Sequence, residues 1–194
     1  MRRLILASAS PYRQALLQRL GLDFEVRPSG LDETAKQGEQ PKALAKRLAS
    51  EKAQHIPRLN ALIIGADQVA TLGEEILRKP ENHFTALQQL VRCQGKMIMF
   101  YTAITVIDQS SGQHWEAIDQ TEVHFQNLER AQLDQYLKLE KPYDCAGGFR
   151  AEGLGISLLE TIKSTDPTAL LGLPLVWLIS VLRKVGLDPL EPMS

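Results

Sequence analysis

Cysteine is scarce in this chain, and neither sign of charge is in excess. Two cysteines among 194 residues are too few for a disulfide-stapled scaffold, and they fit a reducing compartment. Lysine and arginine number 22 against 23 aspartates and glutamates, so the formal net charge is -1 and predicts no nucleic-acid partner. With hydrophobic residues at 44% and charged residues at 23%, a largely disordered chain is also excluded.

Long apolar runs are missing as well. The apolar run at residues 4–7 is shorter than the core of a secretory signal, which spans ~7–15 residues. The longest stretch without a charge, residues 167–182, is interrupted by Pro174, whereas a membrane-spanning helix needs ~20 apolar residues. We therefore expect a soluble, cytoplasmic protein with no membrane partner.

Several familiar catalytic motifs are absent from the sequence. It has no glycine-rich phosphate loop ending in Lys-Ser or Lys-Thr, no His-Glu-x-x-His and no Cys-x-x-Cys. The four histidines show no metal-ligand spacing, and Cys93 and Cys145 are interpreted as small core residues rather than nucleophiles. These absences exclude P-loop and zinc-peptidase chemistry as first hypotheses.

Apolar periodicity and capping residues divide the chain into alternating strands and helices. Predicted helices cover residues 11–20, 41–56, 82–94, 129–141 and 173–185; predicted strands cover 4–7, 61–66, 97–107 and 114–125, with a glycine-broken, strand-like segment over 149–162. Early strand–helix alternation and a long central hairpin predict an α/β fold with a mixed sheet. No linker or repeat is visible, so one domain is expected over residues 1–194.

Lys52 is the strongest physical signal in the sequence. On the helix predicted over 41–56, it lies at the centre of an otherwise apolar arc. An ammonium in such a place must find an anion or lose its proton. Either the lysine extends its ammonium to the solvent at the rim of the apolar face or forms a buried ion pair, or it binds an anionic ligand.

Residues 8–13 form a second candidate site at a strand-to-helix junction. Ser10 and Pro11 are typical of a helix start, where free amide groups attract anions. Arg13 falls in the first turn, where a cation opposes the helix dipole and a bound anion would remove the conflict. The alternative is an ordinary serine cap with a solvated arginine.

Asp67 and Gln68 follow the apolar strand predicted over 61–66. Ligands of open α/β sheets gather beyond the carboxyl ends of strands. A carboxylate there can hold a divalent ion or accept a proton from water. The alternative is an aspartate that caps a turn.

Eight short segments, taken together, resemble the Maf family of nucleotide pyrophosphatases over nearly the whole chain. They are residues 6–13 (LASASPYR), 32–34 (DET), 50–53 (SEKA), 64–69 (IGADQV), 79–80 (KP), 144–149 (DCAGGF), 152–156 (EGLGI) and 172–174 (GLP). The resemblance implies an elongated mixed α/β sheet whose helices form two lobes around a central cleft. It also implies a homodimer, because the family is commonly dimeric.

The resemblance further implies metal-dependent hydrolysis of a nucleoside triphosphate to the monophosphate and pyrophosphate. By position, Asp67 matches the proton acceptor. The residues that match the triphosphate-binding set are Ser8, Ser10, Arg13, Lys52 and Lys79, and Glu33 and Gln68 match polar site residues. A divalent cation (Mg, Mn or Co) is implied, with Glu33 and Asp67 as its candidate ligands. Charge neutralisation and positioning are what phosphoryl transfer requires, so no covalent nucleophile is needed.

Within the family, the chain resembles the branch that hydrolyses 7-methyl-GTP and so keeps modified nucleotides out of nucleic acids. Glu152 stands where the pyrimidine branch typically has glutamine, and Tyr12 supplies an aromatic face. Tyr12, Gln68 and Glu152 are the predicted specificity residues. The alternatives are a dTTP/UTP pyrophosphatase and a non-enzymatic, nucleotide-responsive regulator of cell division.

Overall fold

The computed structural model describes residues 3–57 and 60–191. Within these residues the helices and strands alternate along the chain. The strands are β1 (Arg3–Leu6), β2 (Glu25–Val26), β3 (Ala61–Leu72), β4 (Glu75–Leu77), β5 (Met97–Asp108), β6 (Gln113–Phe125) and β7 (Leu159–Lys163). The α-helices are α1 (Pro11–Gln18), α2 (Pro41–His55), α3 (His83–Cys93), α4 (Arg130–Glu140) and α5 (Leu175–Lys184). Short 3-10 turns cover Ala146–Gly148, Leu154–Leu158 and Ala169–Leu171.

The strands form one mixed sheet in the order β2-β1-β3-β5-β6-β7, and β4 also pairs with β3. β1 is parallel to both β2 and β3, whereas β3, β5, β6 and β7 follow one another in antiparallel pairs. A short hairpin connection allows antiparallel pairing of β5 and β6, while the β1–β3 crossover passes through two helices. The predicted mixed α/β fold is confirmed.

The apolar core lies in two large clusters at opposite ends of the long strands. One cluster includes Ile64 and Ile104, and α1 and α5 pack against it. The other includes Ala70 and Phe100, and α3 and α4 cover it. The middle of β3 and β5 lies between these clusters on that face of the sheet, and this is where polar side chains appear.

Helix α2 covers the opposite face of the central strands. Its buried residues Leu44, Ala45, Leu48 and Ala49 pack against Val69 and Ala103, from the middle of β3 and β5. Pro41 occupies the first turn, where its missing N–H costs nothing, as the sequence pattern predicts. The apolar arc of this helix therefore determines which of its faces meets the sheet.

Two predicted segments differ from the structure. β3 continues to Leu72 instead of ending at Ala66, because antiparallel pairing with β5 extends as far as Thr71. The segment 149–162 is mostly a tight turn and a 3-10 helix, with strand structure only from Leu159. Its glycines permit close backbone approaches, and these displace the extended conformation that its apolar residues had indicated.

In the part of the chain that the structure describes, the helices are all too short or too polar to cross a bilayer.

Candidate active site

The middle of β3 has no strand neighbour on one side. On the side away from β5, pairing with β1 ends at Ile64 and pairing with β4 begins at Ala70. Among the described residues, 65–69 therefore form a gap in this side of the sheet. Asp67 and Gln68 both lie in the gap, and because they are successive strand residues their side chains project to opposite faces.

Two chain segments enter the gap from its two ends. β1 is parallel to β3 and β4 is antiparallel to it, so both strands run toward the gap before they end. The chain leaving β1 carries Ser8 and Ser10, and the chain leaving β4 carries Lys79. The topology thus gathers residues that are far apart in sequence.

Lys52 pairs with two carboxylates at the gap. Its Nζ lies 2.7 Å from Oδ1 of Asp67 and 2.6 Å from Oε1 of Glu33. Lys52 and Asp67 are each only 5% exposed, whereas the Glu33 side chain is 52% exposed. Of the two sequence interpretations of Lys52, the buried ion pair is the one that the geometry shows directly.

Gly65 explains why α2 approaches β3 closely enough for this pair. A Cβ at position 65 would lie 2.2 Å from the Ala49 carbonyl oxygen and 2.7 Å from the Ala53 amide nitrogen. Both atoms belong to the backbone of α2, so no side-chain movement could relieve the contact. Lys52 reaches Asp67 because no side chain separates the helix from the strand at this point.

The two carboxylates differ in their proton affinity. Burial raises the pKa of Asp67, despite the opposing charges of Lys52 and Arg13. Burial acts in the same direction on Glu33, but its hydrogen bond to Lys52 and the charges of Lys52, Lys79 and Arg13 lower its pKa overall. The buried carboxylate is therefore the better proton acceptor near neutral pH, and the exposed one stays ionised.

Ser8, Ser10 and Arg13 are linked at the start of α1. The Ser10 hydroxyl accepts a hydrogen bond from the Arg13 amide at 3.4 Å, so the predicted N-cap is confirmed. The Ser8 hydroxyl accepts from the Ser10 amide at 3.2 Å and from Arg13 Nη1 at 3.4 Å. Arg13 Nε donates to the Gly172 carbonyl at 2.9 Å, which holds the guanidinium beside the gap.

The loop that carries Glu33 is held to α2 by an arginine. Arg47 donates from Nε and Nη2 to the two oxygens of Glu39, at 2.7 and 2.8 Å, and from Nη2 to the Thr34 carbonyl at 3.1 Å. Its Nη1 donates to Glu51, one turn along the helix, at 2.8 Å. Such bidentate contacts fix both orientation and distance, so the position of Glu33 depends on Arg47.

An open cleft of about 630 Å³, including its mouth, adjoins the gap. Six of the predicted site residues line it: Ser10, Tyr12, Arg13, Gln68, Lys79 and Glu152. Phe100 and Phe149, which meet edge to face at 5.8 Å, also line it. The cleft thus combines aromatic surface with both carboxylate and cationic side chains.

Gln68 is fixed by its amide nitrogen. Nε2 donates to the Thr102 hydroxyl at 2.9 Å and lies 3.1 and 3.0 Å from the carbonyls of Ala169 and Leu170. Within the described residues the side-chain carbonyl oxygen of Gln68 accepts no hydrogen bond. That acceptor is thus available to a molecule in the cleft.

Tyr12 is anchored by its hydroxyl. Its oxygen lies 3.3 Å from both carboxylate oxygens of Asp144 and 3.6 Å from the Sγ of Cys145. Burial, together with Cys145 and Asp144, raises the pKa of Tyr12, so the ring stays neutral. The side chain therefore presents a fixed aromatic face at the cleft.

A model of the family described as "Maf-like protein" matches residues 3–185. The chain belongs to the Maf family. Curated relatives in this family match over nearly their whole length. A protein of Nitrosococcus oceani, named 7-methyl-GTP pyrophosphatase, is 46% identical over 94% of this chain and 93% of its own. Relatives of the same name from Cupriavidus metallidurans and Colwellia psychrerythraea are 49% identical (94% of this chain, 93% of theirs) and 43% identical (100% and 98%).

A solved structure titled "Structure of a HAM1 protein from Coxiella burnetii" aligns with 64% of this chain and 73% of its own. The TM-score is 0.40 and the sequence identity is 14%.

The site of this Maf protein suits a cation that is shared with a substrate. Among residues 3–57 and 60–191, no group of three or more His, Cys, Asp and Glu side chains could hold a metal ion alone. Glu33 and Asp67 do converge on a single ammonium, with oxygens 2.6 and 2.7 Å from it. Mg²⁺ is commonly held by one or two carboxylates together with substrate phosphates, so this donor pair fits such an ion.

Sequence reasoning missed part of the Maf cleft. Cys145 was expected in the core, but it is half-buried, lines the cleft and contacts Tyr12. Burial raises the pKa of its thiol to about 12, which disfavours the nucleophilic thiolate at neutral pH. Asp144 and Arg150 also line the cleft. The available signal was that Asp144 begins the segment 144–149 and that Arg150 lies between this segment and 152–156.

Proposed function

We propose that this protein hydrolyses 7-methyl-GTP to 7-methyl-GMP and pyrophosphate. One observation carries the proposal: Asp67, paired with the buried Lys52, lies in a sheet gap, and the next residue of that gap, Gln68, lines a cleft with aromatic and carboxylate side chains. The curated relatives named 7-methyl-GTP pyrophosphatase support the choice of substrate. The consequence for the cell would be the removal of a modified nucleotide before it enters nucleic acids.

The cations around the gap suit a triphosphate. Arg13 and Lys79 line the cleft, and Lys52 lies behind them beside Asp67. Phosphoryl transfer spreads negative charge over the phosphate oxygens, and fixed cations stabilise it without reorganisation. The Ser8 and Ser10 hydroxyls, at the start of α1, add donors where the helix dipole favours an anion.

Asp67 would deprotonate the attacking water. Burial raises the pKa of this carboxylate, which brings it closer to the range that general-base catalysis favours. Its bond to Lys52 opposes protonation while the site is empty of substrate. When a phosphate oxygen takes over the ammonium, Asp67 loses that partner and accepts a proton more readily. Substrate binding would thus activate the base.

Glu33 and Asp67 would hold the divalent cation that the family resemblance implies. When bound, Mg²⁺, Mn²⁺ or Co²⁺ supplies additional neutralisation of phosphate charge. Arg47 keeps Glu33 in place through its contacts with Glu39 and Thr34. The loop of Glu33 would therefore be organised before the cation and nucleotide arrive.

The nucleobase of the substrate would be selected by its charge. Methylation at N7 makes the guanine ring cationic, and Tyr12 offers it a neutral aromatic face, worth roughly 0.5–2 kcal/mol in such contacts. Glu152 can accept hydrogen bonds from the guanine N1–H and exocyclic amine. A pyrimidine such as uracil would present carbonyl oxygens to the same carboxylate and be repelled.

A screen of pyrophosphate release tests the proposal. Wild-type protein is incubated with 7-methyl-GTP, GTP, UTP, dTTP, CTP and ATP, each with Mg²⁺, Mn²⁺ or Co²⁺ and with EDTA. We expect the highest kcat/KM for 7-methyl-GTP, with equal amounts of monophosphate and pyrophosphate, and loss of turnover in EDTA. A preference for UTP or dTTP would contradict the substrate. Tight nucleotide binding without turnover would favour the regulatory alternative.

The cellular setting and the assembly are also proposals. Both cysteines are free thiols, which supports a reducing, cytoplasmic location. A homodimer is implied by the family resemblance, and light scattering of the purified protein would test it.

A further inference from the structure

The turn that carries Glu152 is anchored by a carboxylate from a different part of the fold. Glu140 lies in the last turn of α4, and its side chain is only 7% exposed. Its carboxylate forms an ion pair with Nη2 of Arg150. Its Oε2 also accepts a hydrogen bond from the Leu154 amide at 2.7 Å. One side chain thus binds the turn on both sides of Glu152.

The backbone between these contacts also lies against Glu140. A Cβ at Gly153 would lie 2.6 Å from each of the two carboxylate oxygens, so the turn packs directly on them. Tyr136, one helical turn earlier, accepts a hydrogen bond from the Arg150 amide at 3.0 Å. Residues 150, 153 and 154 therefore all contact the end of α4, and residue 152 lies between them.

The position of Glu140 is unfavourable unless it has these partners. An acid in the last turn of a helix faces the negative end of the helix dipole. A buried carboxylate also loses hydration, and only hydrogen bonds and opposite charge can compensate for it. Arg150 and the Leu154 amide supply both. The same pairing neutralises Arg150, which lines the cleft and would otherwise repel a cationic base.

We propose that Glu140 is a positioning residue for base selection: it fixes the 150–154 turn so that Glu152 lines the cleft, and it neutralises Arg150 there. The inference rests on the proposed function for the identity of the base, but the anchoring of the turn does not. Glu140 lines neither the gap nor the cleft, so it acts through Arg150 and the turn rather than on the reacting phosphates.

Glu140→Gln tests this role, because the amide keeps the shape but loses the charge and one acceptor. The charged hydrogen bonds of Glu140 with Arg150 and the Leu154 amide are lost or weakened, so Glu152 is no longer held against the nucleobase. We therefore expect the ratio of kcat/KM for 7-methyl-GTP over UTP to fall at least about 10-fold, mainly through a higher KM for 7-methyl-GTP. Amide exchange at Leu154 should accelerate by at least about 10-fold, since its acceptor is weakened. Glu140→Asp keeps the charge, so its substrate ratio and its Leu154 exchange rate should lie between those of Glu140→Gln and wild type. If Glu140→Gln does not fold, Glu140→Asp provides the test.

Gln132→Ala provides a matched control on the same helix. The Gln132 side chain accepts from the Glu129 amide at 2.9 Å, at the opposite end of α4. This variant should lower stability without changing the substrate ratio or the Leu154 exchange. If the Glu140 variants behave like Gln132→Ala, the positioning role is overturned.

The proposed function and the positioning role fail in different ways. If the wild type prefers another base, the substrate is wrong, and the positioning role is then measured on the ratio for that base. Faster exchange at Leu154 with an unchanged ratio would overturn the positioning role and leave the substrate intact. Unchanged exchange would overturn it as well, because the turn would not depend on Glu140.

Discussion

The Lys52 ammonium and the Asp67 carboxylate lie 2.7 Å apart, in contact across the interface between α2 and β3. Both are buried, and the ammonium is shared with the more exposed Glu33 at 2.6 Å. A buried charge that loses its partner is costly, so neither member can be changed without affecting the other. This dependence makes the pair suitable for separating stability from chemistry.

Lys52→Met should destabilise the protein at neutral pH and weaken nucleotide binding. Methionine fits the apolar arc, but it leaves Asp67 buried without its ammonium, a loss of roughly 3–5 kcal/mol when a buried pair is broken. The pKa of Asp67 would rise further, so part of the lost stability should return as the pH falls and the carboxyl becomes neutral. Urea denaturation at several pH values would measure this recovery.

The double variant Lys52→Met/Asp67→Asn separates the two effects. It removes both charges, so its free energy of unfolding should recover relative to Lys52→Met while nucleotide binding stays weak. Unchanged nucleotide titration in Lys52→Met would rule out a role for Lys52 in phosphate binding.

Asp67→Asn should abolish most turnover while the fold is kept. The amide has the shape of the carboxylate but cannot accept the proton of water, so kcat should fall ~10²–10⁴-fold, with a smaller change in nucleotide affinity. Steady-state kinetics would measure both quantities. Asp188→Asn, which removes a carboxylate that pairs with Arg183 outside the cleft lining, is the control. Turnover above about a tenth of wild type would mean that Asp67 is not the base. A change in metal dependence would support the second proposed role of Asp67, as a ligand of the divalent cation.

Glu152→Gln should lower kcat/KM for 7-methyl-GTP by at least ~10-fold and raise the relative activity on UTP or dTTP. The amide no longer repels a uracil carbonyl and no longer strengthens the hydrogen bonds to guanine by its charge. Tyr12→Ala should impair 7-methyl-GTP more than GTP, because only the methylated ring carries the cation that the aromatic face favours. Competition between the nucleotides in one reaction would measure each ratio. If neither substitution moved its ratio, the proposed base recognition would be wrong.

Gly65→Ala should destabilise the protein and reduce kcat together. The new methyl group would lie 2.2 Å from the Ala49 carbonyl, so α2 must move away from β3 and carry Lys52 with it. Overpacking of this kind costs typically ~1–3 kcal/mol, and occasionally more. Thermal denaturation and steady-state kinetics on the same sample would measure both effects. Gly186→Ala is the control: its Cβ meets nothing within 4 Å, and only its φ of +77° makes the substitution strained. That variant should lose stability and keep kcat; a similar kcat in both variants would contradict the proposed geometry.

The pair of Arg47 and Glu39 should make stability sensitive to acid. The Arg47 hydrogen bonds, with one from the Lys36 amide, lower the pKa of Glu39 from its ordinary 4.5 to about 2. Its contribution to stability is therefore present above pH 4.5 and is lost as the pH falls toward 2. Glu39→Gln should be less stable than wild type at neutral pH, and the difference should shrink over that window. Urea titrations would measure the difference at each pH; a constant difference would show that the pair contributes no charge-dependent stability.

The local sequence was sufficient to predict features whose interactions span only one helical turn or two neighbouring strand residues. The Ser10 cap, the Pro41 start and the apolar arc around Lys52 depend on residues within a few positions, and the structure has all three. The same reasoning placed Asp67 after a strand, whereas it lies inside β3. The error arose because strand length is decided by pairing with β5, which starts about thirty residues further along the chain.

What the sequence determined by itself was the five α-helices, the strands β1, β3, β5 and β6, the mixed sheet and the need of Lys52 for an anion. Each follows from periodicity, capping or the cost of a buried charge, which neighbouring residues already define. Only the tertiary structure decided which anions Lys52 meets, where β1 and β4 stop beside β3, and how Glu140 reaches the turn of Glu152. Apart from the β3–β4 pairing, these contacts join residues more than ten positions apart, and they depend on how closely the backbones can pack, as at Gly65 and Gly153. The sequence pattern does not specify how closely two backbones pack, so only the tertiary structure shows which residues form the site.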